Sequence, residues 1–173
     1  MAKEPSEAPG EILLDLLPYE YAEEIGHVVA GWARLEHNID EMIWSLAGLE
    51  NGDIGACLTA QFSTVHARLN ALLALARLGG YSEFQIAKLN KFREHATGLA
   101  ERRNRIAHDP WRSSWALKGA KASKTYRLHK TARSKLDFTY KPVTLDELRT
   151  LRKDIEETIK QFDGILYTGE PLL

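Results

Sequence analysis

Cysteine and long apolar runs are scarce in this sequence, and each shortage excludes a class of protein. Cys57 is the only cysteine among 173 residues, so neither an intrachain disulfide framework nor a cysteine-built metal site can form. No basic segment followed by an apolar run opens the sequence, and its apolar stretches are too short or too interrupted to span a bilayer. We therefore expect a cytoplasmic protein that does not enter a membrane.

The sequence also lacks the signatures of common cofactors. It contains no glycine-rich phosphate loop, no nucleophile elbow and no dinucleotide-binding fingerprint. The five histidines other than His108 show no two-histidine spacing with a carboxylate that would indicate a zinc site, and we expect them to be surface or capping residues. The sequence therefore predicts no cofactor and no metal.

Charge is present in ordinary amounts but is unevenly distributed. The formal net charge is −1, yet residues 102–141 contain twelve Lys or Arg and only two Asp. The rest of the chain contains eleven basic and twenty-two acidic residues. A basic block on an acidic body indicates a polyanionic partner.

Four segments repeat apolar residues at spacings of three and four, which only a helix places on one face. Ser82, with Gln85 three residues later, is typical of a helix start, and Thr144 with Glu147 forms a second such capping box. The helix that follows Ser82 must end near His108, because Pro110 pushes the preceding residue out of the helical region. The predicted helices cover about residues 19–49, 53–78, 82–108 and 145–166.

Between the last two predicted helices, residues 111–141 alternate apolar and polar side chains and predict two or three short strands. The predicted fold class is mainly α: an up-down four-helix bundle with a short basic β-hairpin inserted between its third and fourth helices. One domain covers residues 19–167. Residues 1–18 predict a flexible N-terminal tail, and residues 168–173 predict a C-terminal tail.

The segment "ERRNRIAHDP" places an arginine on the buried seam of the third predicted helix. Arg103 occupies a position where the repeat requires an apolar side chain, and a buried guanidinium is costly unless it is paired and hydrogen-bonded. Either the seam opens there to a cleft, or a partner is present, or the seam ends in solvent, where the helix dipole favours cations. Glu36 and Asp40 are candidate partners for Arg103 or Arg105, with solvation as the alternative.

The spacing within this segment raises a geometric difficulty. His108 follows Arg103 by five residues, so the two side chains lie roughly 140° apart around an ideal helix. Asn104 lies four residues before His108 and shares its face, so it can orient the imidazole. Bringing Arg103 and His108 to one phosphate then requires a distorted last turn, which Pro110 permits, or a second subunit.

The residues "RNRIAH", from Arg103 to His108, resemble the signature of HEPN domains: an arginine, a polar residue and then a histidine, at the end of the third helix of a bundle. The resemblance implies a metal-independent endoribonuclease that forms a homodimer, with two copies of the motif facing one another across a cleft. It further implies that Arg103 holds the scissile phosphate, that His108 is the general acid or base, and that Asn104 positions His108. The implied products carry a 2′,3′-cyclic phosphate and a 5′-hydroxyl.

The same resemblance implies RNA as the substrate and a role as a toxin or phage-defence effector, with a nucleotidyltransferase-type antitoxin as a protein partner. An alternative stays open, because the family also contains non-catalytic modules that bind RNA or a protein. A purely structural helical bundle is a third interpretation.

Further cations in the basic block are predicted to contact an RNA backbone, with aromatic residues between them stacking on bases. The predicted RNA-binding residues are Arg102, Arg105, Arg112, Lys118, Lys121, Lys124, Arg127, Lys130, Arg133 and Lys135. The alternative is a solvated hairpin whose aromatic side chains simply cover the bundle.

Overall fold

A computed structural model describes residues 17–114, 124–133 and 135–166. They form the helices α1 (Tyr19–Leu46), α2 (Gly52–Thr59), α3 (Val65–Leu78), α4 (Glu83–His108) and α5 (Leu145–Leu166), and the strands β1 (Trp111–Ser114), β2 (Lys124–Arg133) and β3 (Lys135–Pro142). The described chain is therefore mainly helical, with a short antiparallel β element between α4 and α5. None of these helices is long and apolar enough to cross a membrane. The predicted tails lie outside the described residues, apart from Leu17 and Pro18.

Reciprocal side-chain caps fix the starts of α4 and α5. Ser82 Oγ accepts a hydrogen bond from the backbone N–H of Gln85 at 3.4 Å, and Gln85 Oε1 accepts one from the backbone N–H of Ser82 at 2.9 Å. Thr144 and Glu147 make the same pair of contacts at 3.2 and 2.7 Å. A capping box needs only two side chains three residues apart. Both predicted helix starts are therefore confirmed.

The second predicted helix, residues 53–78, does not form as one element. It is divided into α2 and α3, because Thr64 has extended backbone (φ −140°, ψ 151°) and its Oγ1 caps α3 by accepting from the N–H of Ala67 at 3.1 Å. Asn51 caps α2 by accepting from the N–H of Asp53 at 2.9 Å. The apolar repeat continues across the break, so periodicity alone does not reveal it.

One apolar core joins the long helices. α1 packs against α3, α4 and α5, and α4 also packs against α3 and α5. The rings of Phe92 and Phe162 lie 5.1 Å apart between centroids, where α4 meets α5. α1 contributes a buried stripe at the predicted helical spacing: Val28, Trp32, Leu35, Ile39 and Ile43.

The β element is a three-stranded antiparallel sheet in the order β1-β2-β3, which agrees with the prediction of two or three short strands. Trp111 Nε1 donates to the carbonyl oxygen of Ile106 at 2.9 Å, which ties β1 to the last turns of α4. Tyr21 Oη donates to the carbonyl oxygen of Val143 at 3.1 Å, which ties the exit of β3 to α1. The sheet is thus held beside the C-terminal end of α4.

Candidate functional site

An open cleft of about 610 Å³ lies along the last three turns of α4. Its walls come from α1, from the segment 63–66 that leads into α3, and from α4 itself. Arg103, Asn104 and His108, the three residues predicted as catalytic, all border this cleft, as does Arg105. The seam of α4 therefore opens to a cleft, which is one of the predicted alternatives.

Arg103 is held in the cleft wall by three contacts. Its side chain is 16% exposed, and its Nη2 lies 3.8 Å from Glu36 Oε2. Nη1 donates to Asn104 Oδ1 at 2.8 Å, and the guanidinium carbon lies 5.6 Å from the ring centroid of the buried Trp32. Pairing and a cation–π contact offset the desolvation of the guanidinium. Of the two candidate partners, Glu36 is therefore the one that pairs with Arg103, and the alternative of a solvated Glu36 does not hold.

A second arginine extends this charge network into α3. Arg68 Nε lies 2.9 Å from Asp40 Oδ1, and Arg68 Nη1 lies 3.9 Å from Glu36 Oε1. Asp40 therefore pairs with Arg68 rather than with Arg103 or Arg105. Burial raises the pKa of Asp40 above its usual value, and the attraction of Arg68 offsets only part of that effect. Glu36 stands between two arginines, so its charge is shared between them.

Asn104 is engaged differently from the prediction. Its Oδ1 accepts from Arg103 Nη1, and no hydrogen bond joins it to His108 within the described residues. In the structure, Asn104 positions the arginine rather than the histidine. His108 is exposed and is the last residue of α4.

The last turn of α4 is regular, with the N–H of Asp109 donating to the carbonyl oxygen of Arg105 at 3.2 Å. Arg103 and His108 nevertheless border the same cleft of one chain. Because the two positions lie roughly 140° apart around the axis, the cleft must curve around the end of the helix. The regular last turn excludes the predicted distortion, so a second subunit stays the predicted way to bring both residues to one phosphate.

Arg127 corrects the predicted set of RNA-binding residues. It is 9% exposed, and its Nη1 lies 3.3 Å from Asp109 Oδ2, so it joins β2 to the end of α4. Burial lowers the pKa of the Arg127 guanidinium, against the opposing effect of Asp109. Arg127 is thus a buried structural cation and not a solvated one on the hairpin.

Two other predicted RNA-binding residues, Arg102 and Arg105, meet in a second, smaller cleft. This cleft has a volume of about 400 Å³, and Arg102, Arg105 and Lys141 border it together with Arg127. Arg102 Nη1 donates to Asp154 Oδ2 at 2.6 Å, whereas Arg105 borders both clefts and connects them. Lys118 and Lys121 lie outside the described residues, as do the side chains of Arg112, Lys124, Lys130, Arg133 and Lys135.

Sequence reasoning missed two side chains of the first cleft, His66 and Thr97. His66 Nδ1 lies 3.5 Å from Thr97 Oγ1, across the contact between α3 and α4. His66 was expected to be an ordinary surface or capping residue. Ser63 and Thr64 directly before an apolar run are a helix-start signal. A helix start at Thr64 would have placed His66 in the first turn of a separate helix.

Comparisons with known proteins identify no relative: no protein-family model matches the chain, and neither a curated protein nor a solved structure shows significant similarity. Among the described residues, no group of three or more His, Cys, Asp or Glu could hold a metal ion. The cleft geometry and the short motif are therefore the observations on which a functional proposal rests.

Proposed function

We propose that this chain is a HEPN-like, metal-independent endoribonuclease that acts as a homodimer. The observation that carries the proposal is the single cleft bordered by Arg103, Asn104 and His108. An arginine offers a permanent charge and paired donors to a phosphoryl group. An exposed histidine beside it is the side chain best suited to transfer protons near neutral pH.

In the proposed reaction, the ribose 2′-oxygen attacks the adjacent phosphorus while the bond from phosphorus to the 5′-oxygen breaks. His108 removes the proton from the 2′-hydroxyl or gives a proton to the leaving oxygen, and Arg103 stabilises the charge on the phosphoryl oxygens. The 3.8 Å separation between Arg103 and Glu36 is longer than a direct hydrogen bond. An RNA phosphate can therefore compete with Glu36 for the guanidinium.

The homodimer and the bundle are parts of the same proposal. Cleavage uses two proton transfers, and a second copy of the motif across the cleft would supply a second His108. In the family's up-down arrangement, α2 and α3 together would take the place of one long helix between α1 and α4. Any toxin or phage-defence role, with an antitoxin partner, rests on the HEPN resemblance alone.

Cleavage of RNA in excess EDTA tests the proposal. Wild-type protein should yield fragments with a 2′,3′-cyclic phosphate and a 5′-hydroxyl, and His108→Ala should lower the rate roughly 100-fold or more. His27→Ala is the matched control, because His27 is an exposed histidine of α1 that does not border the cleft. Equal and negligible cleavage by wild type and His108→Ala would exclude the nuclease proposal.

One observation favours a second candidate, a non-catalytic HEPN-like module that binds RNA. Arg103 is already engaged by Asn104, Glu36 and Trp32, which suits a residue that fastens α4 to α1. In that case, Arg105→Ala combined with Lys141→Ala, in the second cleft, should weaken RNA binding. Wild-type protein would then bind RNA without cutting it.

A further inference from the structure

The first cleft is too long to serve a single phosphate. Thr97 precedes His108 by eleven residues on α4, which corresponds to about 16 Å along the helix axis. Stacked nucleotides of one strand follow one another at about 3.4 Å. His66, which contacts Thr97, therefore cannot share the phosphate of His108 but can contact another nucleotide of the same strand.

The hydrogen bonds around Thr97 leave one nitrogen of His66 available. Thr97 Oγ1 donates to the carbonyl oxygen of Arg93 at 2.7 Å, so its proton is used within α4. The same oxygen must then accept from Nδ1 of His66, at 3.5 Å. Nε2 makes no hydrogen bond within the described part of the chain, and His66 is exposed and borders the cleft.

We propose that His66 and Thr97 form a subsite for a nucleotide about two or three positions along the strand from the cleaved one, so that the substrate is single-stranded RNA lying along α4. This inference rests on the proposed function. His66 Nε2 contacts that more distant nucleotide while Arg103, about 9 Å further along α4 from Thr97, holds the scissile phosphate. A cleft of about 610 Å³ is within the range of sites for small ligands. A cleft of this volume that follows one helix suits a short piece of one strand.

Binding of oligonucleotides that cannot be cut tests the subsite without relying on catalysis. The probes are 2′-O-methyl oligouridylates of two and six nucleotides, labelled with fluorescein and followed by anisotropy. Wild type should bind the longer probe at least about tenfold more tightly, since each added base contact contributes substantially. His66→Ala should reduce the ratio of the affinity for the long probe to that for the short probe to about threefold or less. The affinity for the short probe should stay unchanged. Thr97→Val, which removes the hydroxyl contact, should reduce the ratio by a smaller factor.

His27→Ala should keep the wild-type ratio, and a six-base-pair duplex of the same chemistry should bind wild type more weakly than the single strand. The subsite is rejected if His66→Ala keeps the wild-type ratio or weakens both probes equally. It is also rejected if wild type binds neither probe.

Should His108→Ala lose RNA cleavage while His66→Ala keeps the length effect, only the subsite fails. If wild type binds the probes but never cuts RNA, the nuclease proposal fails. The comparison of long-probe and short-probe affinities between wild type and His66→Ala then still tests whether the subsite exists.

Discussion

Two charge clusters in this molecule are built from glutamate and arginine side chains but differ in how closely these are paired. In the first, the buried Glu24 of α1 is paired with two arginines of α5, Arg149 at 3.3 Å and Arg152 at 3.2 Å. In the second, Arg103 of α4 has one acidic partner among the described residues, Glu36 at 3.8 Å, and it borders an open cleft. The first cluster surrounds an acid with cations, whereas the second leaves a cation only loosely paired.

This difference separates a structural ion cluster from one that can bind a ligand. Glu24 is 8% exposed and each of its carboxylate oxygens has an arginine within 3.3 Å, so cations already occupy both sides of this carboxylate. Arg103 keeps its charge beside a cleft, and its acidic partner also serves Arg68. An incoming anion can therefore replace Glu36 at little cost.

The largest expected effect comes from removing the loosely paired cation. Arg103→Ala should lower RNA cleavage roughly 100-fold or more, because the charge on the phosphoryl oxygens loses its main donor. Arg103→Lys should recover only part of the rate, since a lysine cannot form two parallel hydrogen bonds. Initial rates on a labelled RNA in EDTA measure both variants, and Arg34→Ala on α1 is the control. If Arg103→Ala cleaves RNA at the wild-type rate, Arg103 has no role in cleavage.

Changes in the cluster around Glu24 should alter the stability of the protein and leave its activity unchanged. Glu24→Ala should lower the free energy of unfolding by about 1–2 kcal/mol, less than for a fully buried pair, because Arg149 and Arg152 can turn into solvent. Urea unfolding measures this loss, and Glu23→Ala at the exposed neighbouring position is the matched control. Cleavage per folded molecule should stay at the wild-type rate. If Glu24→Ala instead loses cleavage and keeps its stability, the Glu24 cluster also contributes to activity and the proposed difference between the two clusters is wrong.

Neutralising Glu36, the acidic partner of Arg103, should strengthen RNA binding, and this effect should be smaller than the loss caused by Arg103→Ala. Glu36→Gln removes an anion that competes with RNA phosphate, so the dissociation constant for a single-stranded oligonucleotide should fall by about two- to fivefold. Glu41→Gln, also on α1 but paired with His37, should leave the affinity unchanged. If Arg103 serves only to fasten α4 to α1, Glu36→Gln would lower stability and leave the affinity where it was.

Sequence patterns predicted the parts of this fold that depend on near neighbours. The α1 stripe and the capping boxes at Ser82 and Thr144 involve residues only a few positions apart, so their geometry is visible in the sequence. The break at Thr64 was missed because the apolar repeat passes through it. The arrangement of Glu36 between Arg68 and Arg103 depends on how three helices pack, so spacing could give only the candidate partners.

The same limit applies to two functional assignments. Strand alternation predicted exposed cations in the β element but could not tell which side would face the helices, and Arg127 lies on the buried side. His66 reaches the cleft only because α3 begins at Val65, after the cap at Thr64, and packs against α4. In both cases the deciding contact joins segments that are far apart in the sequence.

The smallest expected effect concerns the carboxylate that supports the loosely paired cluster. Burial raises the pKa of Asp40 above 3.8, more than the pairing with Arg68 lowers it. The folded state therefore binds the proton more tightly than the unfolded chain. The contribution of Asp40 to stability is present below the unfolded pKa and is lost as pH rises through the folded one. Asp40→Asn carries no titrating group, so its stability relative to wild type should rise as the pH increases from below 3.8 towards neutrality.

Urea unfolding of both proteins across that pH range measures the difference, with the exposed Glu157→Gln as the control for general charge effects. If the stability of Asp40→Asn relative to wild type instead falls as the pH rises, the Asp40–Arg68 pair outweighs the desolvation of Asp40. The charge network beneath Arg103 would then be a stabilising one, like the cluster at Glu24. The predicted direction implies the reverse, that Asp40 is kept charged beside Arg68 at a small cost in stability. A cost of that kind is expected where charged side chains are held in place for binding rather than for folding.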